Sequence, residues 1–275
     1  MIPRADITAW RAGAPWSNDA QVEQDLVLSR ALIDIFSDPL LARELAFRGG
    51  TALHKLYVEP PARYSDDIDL VQIPAGPIGA VLDALRARLD RWLGKPRRDR
   101  GEGRVSLFYR FTSEIPPITP LRLKVEINTR EHFVVFGLHK KRLAVNSRWF
   151  AGEAPLVTYA PDELLGTKMR ALYQRKKGRD LFDLSIGLDQ RLVDPANVVK
   201  SFGRYMEEEG LSVSRAEFEA NLAKKINDAA FRNDTVPLLR PAVSYDAVAA
   251  YERVQRELIA LLPGEPWKGT GAQRP

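Results

Sequence analysis

The spacing of apolar residues predicts helices near the start of the chain. Over residues 19–46, apolar side chains recur every three or four positions, which is the period of an amphipathic helix. Ser37-Asp38-Pro39 interrupts this pattern and predicts two helical pieces. Residues 51–57 predict a further short helix, which must end before the proline pair that follows because consecutive prolines cannot continue a helix.

Alternation of apolar and polar residues predicts β-strands in the middle of the chain. The clearest candidates are residues 65–73, 105–111 and 121–128, and weaker ones lie at 134–136 and 156–158. Residues 78–93 predict a helix after the first strand. From Pro161 onward the spacing is helical, and it predicts helices at 161–176, 179–189, 195–208, 214–229 and 244–262.

This order of elements predicts an α+β protein. We expect an N-terminal α/β domain with a mixed sheet at 1–158 and a C-terminal helical domain at 159–262. The last stretch, 263–275, is rich in glycine and proline and predicts a flexible tail. A chain of 275 residues is long enough for two such domains.

Composition and charge exclude some classes of protein. Cysteine is absent, which excludes disulfides and thiolate metal sites and favours a cytoplasmic location. No apolar run approaches the roughly 20 residues that cross a membrane, and the first residues lack the apolar stretch of a signal peptide. The net charge of +5 favours a polyanionic partner. Basic clusters at 95–104 and 170–179 are expected in loops or at helix ends. A solvated surface explains each cluster as well as a contact with a polyanion does.

The first candidate site lies on the strand predicted at 65–73. Because side chains alternate along a strand, Ser65, Asp67 and Asp69 share one face, while Ile68 and Leu70 point into a core. Two carboxylates about 7 Å apart can converge on a hard cation, and Mg²⁺ is typically held by one or two carboxylates plus substrate phosphates. A solvated strand face is the alternative for such a pair taken alone.

A glycine pair precedes this strand. Gly49 and Gly50 come directly before a predicted helix, so their amide groups lie at its N-terminus, where a phosphate is favoured and glycine allows close approach. Most glycine pairs are only turns, but a phosphate site followed by a metal strand is a stronger signal than either alone.

A third acid lies on the polar face of the strand predicted at 121–128. Glu126 alternates with buried apolar residues and would join Asp67 and Asp69 if the two strands are neighbours. There it could complete the metal site or take a proton from an attacking hydroxyl. A cross-strand ion pair is the equally plausible alternative.

Lys168 falls within the apolar stripe of the helix predicted at 161–176. A lysine there either extends to the surface or reaches an anionic partner in a cleft. Asp180 and Asp183 share one face of the next predicted helix. One interpretation is that they form ion pairs or a cap on that face of the helix. The other is that they orient Lys168 or the basic residues 175–177.

Several motifs resemble one known family. FRGGTAL, YSDDIDLV and KMRALYQRKKGRDLFDL are similar to motifs of the AbiEii/AbiGii toxin nucleotidyltransferases, which are related to the MenT toxins within the polymerase-β-like nucleotidyltransferase superfamily. The resemblance extends over roughly residues 20–190. It implies a polymerase-β-like nucleotidyltransferase domain followed by a helical domain, and a toxin of a toxin–antitoxin or phage-defence pair with a cognate antitoxin.

The same resemblance implies roles for individual residues. It assigns Gly49, Gly50, Thr51 and Ser65 to nucleotide binding, and Asp67 and Asp69 to metal binding and catalysis. Glu126 and Asp183 follow as catalytic candidates, and Lys168 as both a catalytic candidate and a triphosphate contact. The expected reaction is Mg²⁺-dependent transfer of a nucleotide from a nucleoside triphosphate to RNA, with the tRNA 3′ acceptor end as the expected target. The alternatives are transfer to a protein or small molecule, and an inactive nucleic-acid-binding regulatory module.

Overall fold

A computed structural model describes residues 2–269. The chain forms two compact units. The first comprises the residues up to Ala160 together with the short segment Leu238–Pro241, and the second comprises Pro161–Pro237 and the residues from Ala242 onward. The first unit is mixed α/β and the second is helical, so the fold is α+β as predicted.

Five helices belong to the first unit, and local sequence explains where the second and third begin. Asn18 accepts a hydrogen bond from the backbone N–H of Gln21, and Asp38 accepts from Leu40 and Leu41, so each side chain caps a helix. The helices are α1 (Arg4–Trp10), α2 (Asp19–Phe36), α3 (Pro39–Glu44), α4 (Gly49–Leu56) and α5 (Gly79–Leu93).

Within the described residues, seven strands form one mixed sheet in the order β3-β4-β5-β2-β1-β7-β6. β2 runs parallel to β5, and β1 runs parallel to β7, whereas the remaining neighbours are antiparallel. The strands are β1 (Leu45–Arg48), β2 (Asp67–Gln72), β3 (Arg97–Gly101), β4 (Arg104–Thr112), β5 (Pro120–Asn128), β6 (Leu138–Asn146) and β7 (Ala151–Tyr159).

The central strands bury one face and leave polar residues on the other. Ile68, Val125 and Leu107, from β2, β5 and β4, are almost fully buried. The residues between them, such as Asp67 and Lys124, remain partly exposed. Burial of the apolar face is what sets the register, since a slip of one residue would carry the charged side chains into the core.

Three strands differ from the sequence prediction. Leu45–Arg48 is β1, whereas its first two residues are predicted as the end of a helix and its last two as a break. This segment is buried between β2 and β7, and tertiary pairing overrides the helical spacing that extends to residue 46. The basic stretch predicted as a loop contains β3, an exposed edge strand paired with β4. The weak strand predicted at 134–136 is absent from the structure, and β6 begins at Leu138 instead.

The second unit consists of helices whose boundaries follow capping signals. Asp194 and Ser214 cap two of them, and Ser214 forms a reciprocal capping box with Glu217. The helices are α6 (Pro161–Gln174), α7 (Gly178–Asp189), α8 (Pro195–Glu208), α9 (Arg215–Ile226), α10 (Ala229–Asn233) and α11 (Ala247–Glu257), with short 3-10 turns at Val236–Leu238 and Ile259–Leu261.

The beginning of the segment predicted as a flexible tail makes hydrogen bonds in the structure. The backbone N–H of Arg215 donates to Pro263 O at 2.8 Å, and the backbone N–H of Trp267 donates to a Glu219 carboxylate oxygen at 2.7 Å. Residues 270–275 of that segment lie outside the described residues. Across residues 2–269, no helix has the length and apolar character needed to cross a membrane.

Candidate active site

The predicted acids of the first unit lie side by side on one face of the sheet. In the parallel pairing of β2 with β5, Asp67 is opposite Lys124 and Asp69 is opposite Glu126. Residues opposite each other on neighbouring strands have side chains on the same face. The two strands are therefore neighbours, which is the condition for Glu126 to join the two aspartates.

Gly49 begins α4 and touches the second aspartate. Its φ of +83° is a backbone conformation that glycine adopts readily and other residues rarely do. A Cβ built at this position would come within 2.3 Å of Asp69 Oδ2. The glycine is thus required twice, by the turn from β1 into α4 and by the carboxylate that packs against it.

Two hydroxyl groups connect the start of α4 to the start of β2. Thr51 Oγ1 donates to the backbone oxygen of Asp67 at 2.6 Å and lies 2.8 Å from Ser65 Oγ. Ser65 precedes β2, which starts at Asp67, so it does not extend the strand as predicted. This network holds the N-terminus of α4, with Gly49 and Gly50, beside the acid-bearing strand.

The surroundings of Asp67 disfavour the charged form of its carboxyl group. Partial burial, together with the negative charges of Asp66 and Asp69, raises the pKa of Asp67 to about 6, against a smaller opposing effect of Lys124 and Arg122. A carboxylate whose charged form is disfavoured by neighbouring acids gains from a bound cation. The electrostatics therefore favour cation binding between Asp67 and Asp69.

Glu126 has different surroundings. Its carboxylate accepts from Lys124 Nζ at 3.0 Å and from Ser106 Oγ at 3.0 Å. Burial acts to raise the pKa of Glu126, but the hydrogen bond and charge of Lys124, together with Ser106 and Arg104, outweigh burial and hold the pKa below its ordinary value. Glu126 thus forms an ion pair in this structure, at 3.0 Å with a residue of its own strand and at a longer 3.9 Å with Arg104 across to β4.

Lys124 was not among the predicted site residues. Its Nζ lies 3.0 Å from Glu126 and 4.0 Å from Asp67, and these acids hold the pKa of Lys124 above its ordinary value even though burial acts to lower it. The available signal was its position on the same polar face of β5 as Glu126.

The acids fit a divalent metal that is completed by substrate oxygens. Within residues 2–269, no group of three or more histidine, cysteine, aspartate or glutamate side chains is arranged to hold a metal ion. Asp67 and Asp69 supply two carboxylates, which is the usual protein contribution to a Mg²⁺ ion that also binds phosphates and water. The hard oxygen donors and the raised pKa of Asp67 agree with such an ion.

A cavity of about 370 Å³ opens beside Thr51 and Ser65. Its polar centre is Asp25, which accepts hydrogen bonds from the indole N–H groups of Trp10 and Trp16 and from Lys55 Nζ. Because these donors already satisfy the carboxylate, we regard Asp25 as a structural centre of the first unit and not as part of the acid site.

The remaining candidates lie in the second unit, on α6 and α7. Lys168 is 7% exposed, so it does not extend to the surface. Its Nζ lies 2.9 Å from Asp183 Oδ2 and 3.3 Å from Asp180 Oδ1, and both carboxylates are fully buried. The anionic partners of Lys168 in this structure are therefore the two aspartates of the next helix.

Asp180 also holds the basic residue that follows α6. Arg175 donates to both oxygens of Asp180, at 2.7 and 2.8 Å. Burial acts to raise the pKa of Asp180, but Lys168 and Arg175 outweigh it and lower the pKa below its ordinary value. Asp180 thus binds two cations, whereas Asp183 contacts Lys168, a distinction that sequence spacing did not provide.

The mixed sheet of the first unit thus carries paired aspartates on one strand and a third acid on the next, beside a helix that begins with two glycines. The sequence profile of the family described as "Nucleotidyl transferase AbiEii toxin, Type IV TA system" matches residues 30–253. The chain therefore belongs to the AbiEii nucleotidyltransferase toxins of toxin–antitoxin systems, which confirms the predicted family and the predicted class of enzyme.

One solved structure supports the same fold. MenT4, a nucleotidyltransferase toxin from Mycobacterium tuberculosis H37Rv, superposes with a TM-score of 0.60 at 18% sequence identity, covering 96% of this chain and 91% of that one. An antigenic nucleotidyltransferase-like protein from Paracoccidioides brasiliensis has a TM-score of 0.38 at 18% identity, covering 72% of this chain and 87% of that one. No curated protein sequence is significantly similar to this chain.

Proposed function

We propose that this toxin transfers a nucleoside monophosphate from a nucleoside triphosphate to RNA, at the 3′ acceptor end of a tRNA, and that it requires Mg²⁺. The observation that supports nucleotidyl transfer most directly is the register of β2 and β5, which aligns Asp69 with Glu126 beside the start of α4 at Gly49. Acids and phosphate-binding amides are the two parts that nucleotidyl transfer needs.

Asp67 and Asp69 are the proposed metal ligands. Bound there, Mg²⁺ would stabilise negative charge on the attacking and leaving oxygens. The backbone N–H groups at the start of α4 bind phosphate oxygens, helped by the helix dipole, and the absence of side chains at Gly49 and Gly50 leaves room for close approach. Thr51 and Ser65 offer hydroxyl groups to the triphosphate.

In the reaction, an RNA hydroxyl oxygen bonds to the α-phosphorus while the bond to the pyrophosphate oxygen breaks. The hydroxyl proton must leave during this step. Glu126 is the proposed acceptor of this proton or an additional metal ligand. Its lowered pKa keeps it ionised at neutral pH, which suits a metal ligand better than a base. Lys124, which is ion-paired with Glu126 in this structure, would have to release the Glu126 carboxylate or move together with it.

Lys168 is proposed as a contact to the triphosphate, with Asp183 as the carboxylate that orients it. The 2.9 Å contact between the two side chains and the burial of Asp183 support the orienting role, since they leave little freedom in the lysine position. A cognate antitoxin is a further proposed partner, and its mode of action is open to co-expression experiments.

The decisive experiment is incubation of the purified protein with total RNA and each labelled nucleoside triphosphate in turn, with and without Mg²⁺. We expect label in the tRNA fraction, dependent on Mg²⁺, with release of pyrophosphate. Asp67→Ala and Asp69→Ala should abolish transfer, and both should keep the wild-type fold because these side chains lie on the partly exposed face of the sheet. Label in protein or in small molecules with none in RNA would overturn the RNA assignment.

A further inference from the structure

The sheet face that carries the acids continues as a basic and aromatic surface toward β3. The pairing of β2, β5, β4 and β3 aligns four residues in one row: Asp67, Lys124, Phe108 and Arg97. The next row contains Asp69, Glu126, Ser106 and Asp99. Because opposite residues share a face, Phe108 lies on the same face as the acids, two strand spacings or about 10 Å from β2.

Phe108 is an exception to the pattern of its own strand. In β4, the residues on either side of it, Leu107 and Tyr109, are almost fully buried in the core, whereas Phe108 is half-buried on the opposite, polar face. A core does not require an aromatic ring at this position. The ring, with the side chains that lie over it, is therefore on the face of the sheet that a partner can approach.

Two arginines lie over this ring. The guanidinium carbon of Arg97, from β3, is 4.7 Å from the centroid of the Phe108 ring, and that of Arg122, from β5, is 5.2 Å away. Both arginine side chains are exposed. Aromatic rings and guanidinium planes are the groups on which unpaired RNA bases stack, and arginine also attracts the phosphates between them.

The charge around the ring is complementary to a nucleic-acid strand. Further exposed arginines on this face are Arg104 and Arg110, which lie opposite Asn128 and Arg122 on β5. Arg122 lies two residues before Lys124 on β5, and Lys124 lies opposite Asp67. The basic surface thus adjoins the acid site.

We propose that Phe108, with Arg97 and Arg122, is a stacking platform for an unpaired base near the end of the acceptor RNA. A strand that stacks on Phe108 can extend along the row toward Asp67, where its terminal hydroxyl meets the acid site. This inference rests on the proposed function, since it says where the acceptor strand lies. It also predicts that the enzyme selects RNA with an unpaired 3′ end over a blunt duplex.

The test is binding of RNA by the full-length protein without any nucleoside triphosphate, so that no transfer occurs. The probes are a fluorescein-labelled single-stranded RNA of about eight nucleotides, within the usual range of such sites, and a blunt RNA duplex of equal length. We expect the single strand to bind more tightly than the duplex. Phe108→Ala should weaken binding of the single strand about tenfold or more, since base–aromatic stacking contributes that much per base.

Matched variants separate stacking from general charge and from folding. Phe108→Tyr keeps a stacking ring and should bind like the wild type, while Phe108→Leu keeps apolar volume without a π-face and should bind like Phe108→Ala. Arg97→Ala should weaken binding several-fold. Arg98→Ala removes the same charge from the same strand on the opposite face, and it should leave binding unchanged.

Steady-state transfer gives a second readout. Phe108→Ala should raise the KM for RNA and leave the KM for the nucleoside triphosphate unchanged. Unchanged single-strand affinity in a folded Phe108→Ala protein, or equal losses in Arg97→Ala and Arg98→Ala, would overturn the platform even if the wild type transfers nucleotides to RNA. Conversely, Phe108-dependent binding by a wild-type protein that labels no RNA would leave the platform standing and refute the proposed function.

Discussion

At the scale of single residues, the contact between Gly49 and Asp69 carries a sharp prediction. Gly49→Ala should destabilise the protein by about 1–2 kcal/mol, because an L-residue at a φ of +83° is strained. It should also abolish transfer, because the new methyl group would lie only 2.3 Å from Asp69 Oδ2 and displace this carboxylate. Thermal unfolding and labelled-nucleotide transfer measure the two effects.

Gly210 provides the matched control for this substitution. Its φ is +70°, and a Cβ there would meet no atom within 4 Å. Gly210→Ala should therefore show a similar loss of stability with nearly full activity. Equal activity of the two variants would mean that the position of Asp69 does not matter for transfer.

The raised pKa of Asp67 predicts a pH-dependent cost of folding. A carboxylate that ionises near pH 6 in the folded state and near 3.8 when unfolded destabilises the fold above pH 6 and has no effect below about pH 4. Asp67→Asn removes this cost. Since the side chain is 38% exposed and screened by water, we expect a gain in unfolding free energy on the order of 1 kcal/mol at pH 7.5.

Thermal unfolding from pH 4 to pH 8 tests this expectation. The Tm of Asp67→Asn should exceed that of the wild type at pH 7.5, and the two should converge near pH 4. Added Mg²⁺ with nucleoside triphosphate should raise the Tm of the wild type more than that of the variant, because the bound cation neutralises Asp67. A constant Tm difference across this pH range would show that ionisation of Asp67 is not its cause.

At the scale of elements, the α6–α7 pair is held together around a buried charge cluster. Lys168→Met removes one of the cations that face the fully buried Asp180 and Asp183. Removing one partner from a buried ion pair costs about 3–5 kcal/mol, so the Tm should fall strongly. Lys224→Met, at an exposed position on α9, should have little effect.

A double variant separates the structural role of Lys168 from its proposed catalytic role. Lys168→Met combined with Asp183→Asn should recover part of the lost stability, because position 183 then carries no buried negative charge that needs a cation. If Lys168 contacts the triphosphate, the double variant stays inactive or shows a raised KM for nucleotide even where it is folded. Full activity in the stabilised double variant would limit Lys168 to a structural role.

At the scale of the whole molecule, the net charge of +5 predicts salt-sensitive binding of RNA. For single strands, the logarithm of the binding constant falls with the logarithm of salt concentration by about 0.7 for each phosphate neutralised. Arg97→Ala should reduce this slope by about 0.7, while Phe108→Ala should lower affinity without changing it. Titrations at several salt concentrations would measure both, and a slope altered by Phe108→Ala would argue against stacking.

Much of the architecture could be predicted from local pattern. The alternation in β2 and β5 identified the polar faces that carry Asp67, Asp69 and Glu126, and the prolines that follow α2 and α4 marked the ends of these two helices. These signals are short-range: side-chain alternation, helical spacing and backbone restrictions act within a few residues of the chain. The motif order was enough to identify the family, whose profile spans residues 30–253.

Other features depended on neighbours that are distant in sequence. β1 includes the last two residues of a segment predicted as helix, because two strands and a buried core stabilise the extended conformation there. The alignment of Asp69 with Glu126, the partnership of Lys168 with two buried aspartates, and the two arginines over Phe108 all join residues from different elements. The pattern along the chain specifies which face of an element a side chain occupies. Strand pairing, register and burial determine which residues that side chain contacts, since all three arise from packing between elements.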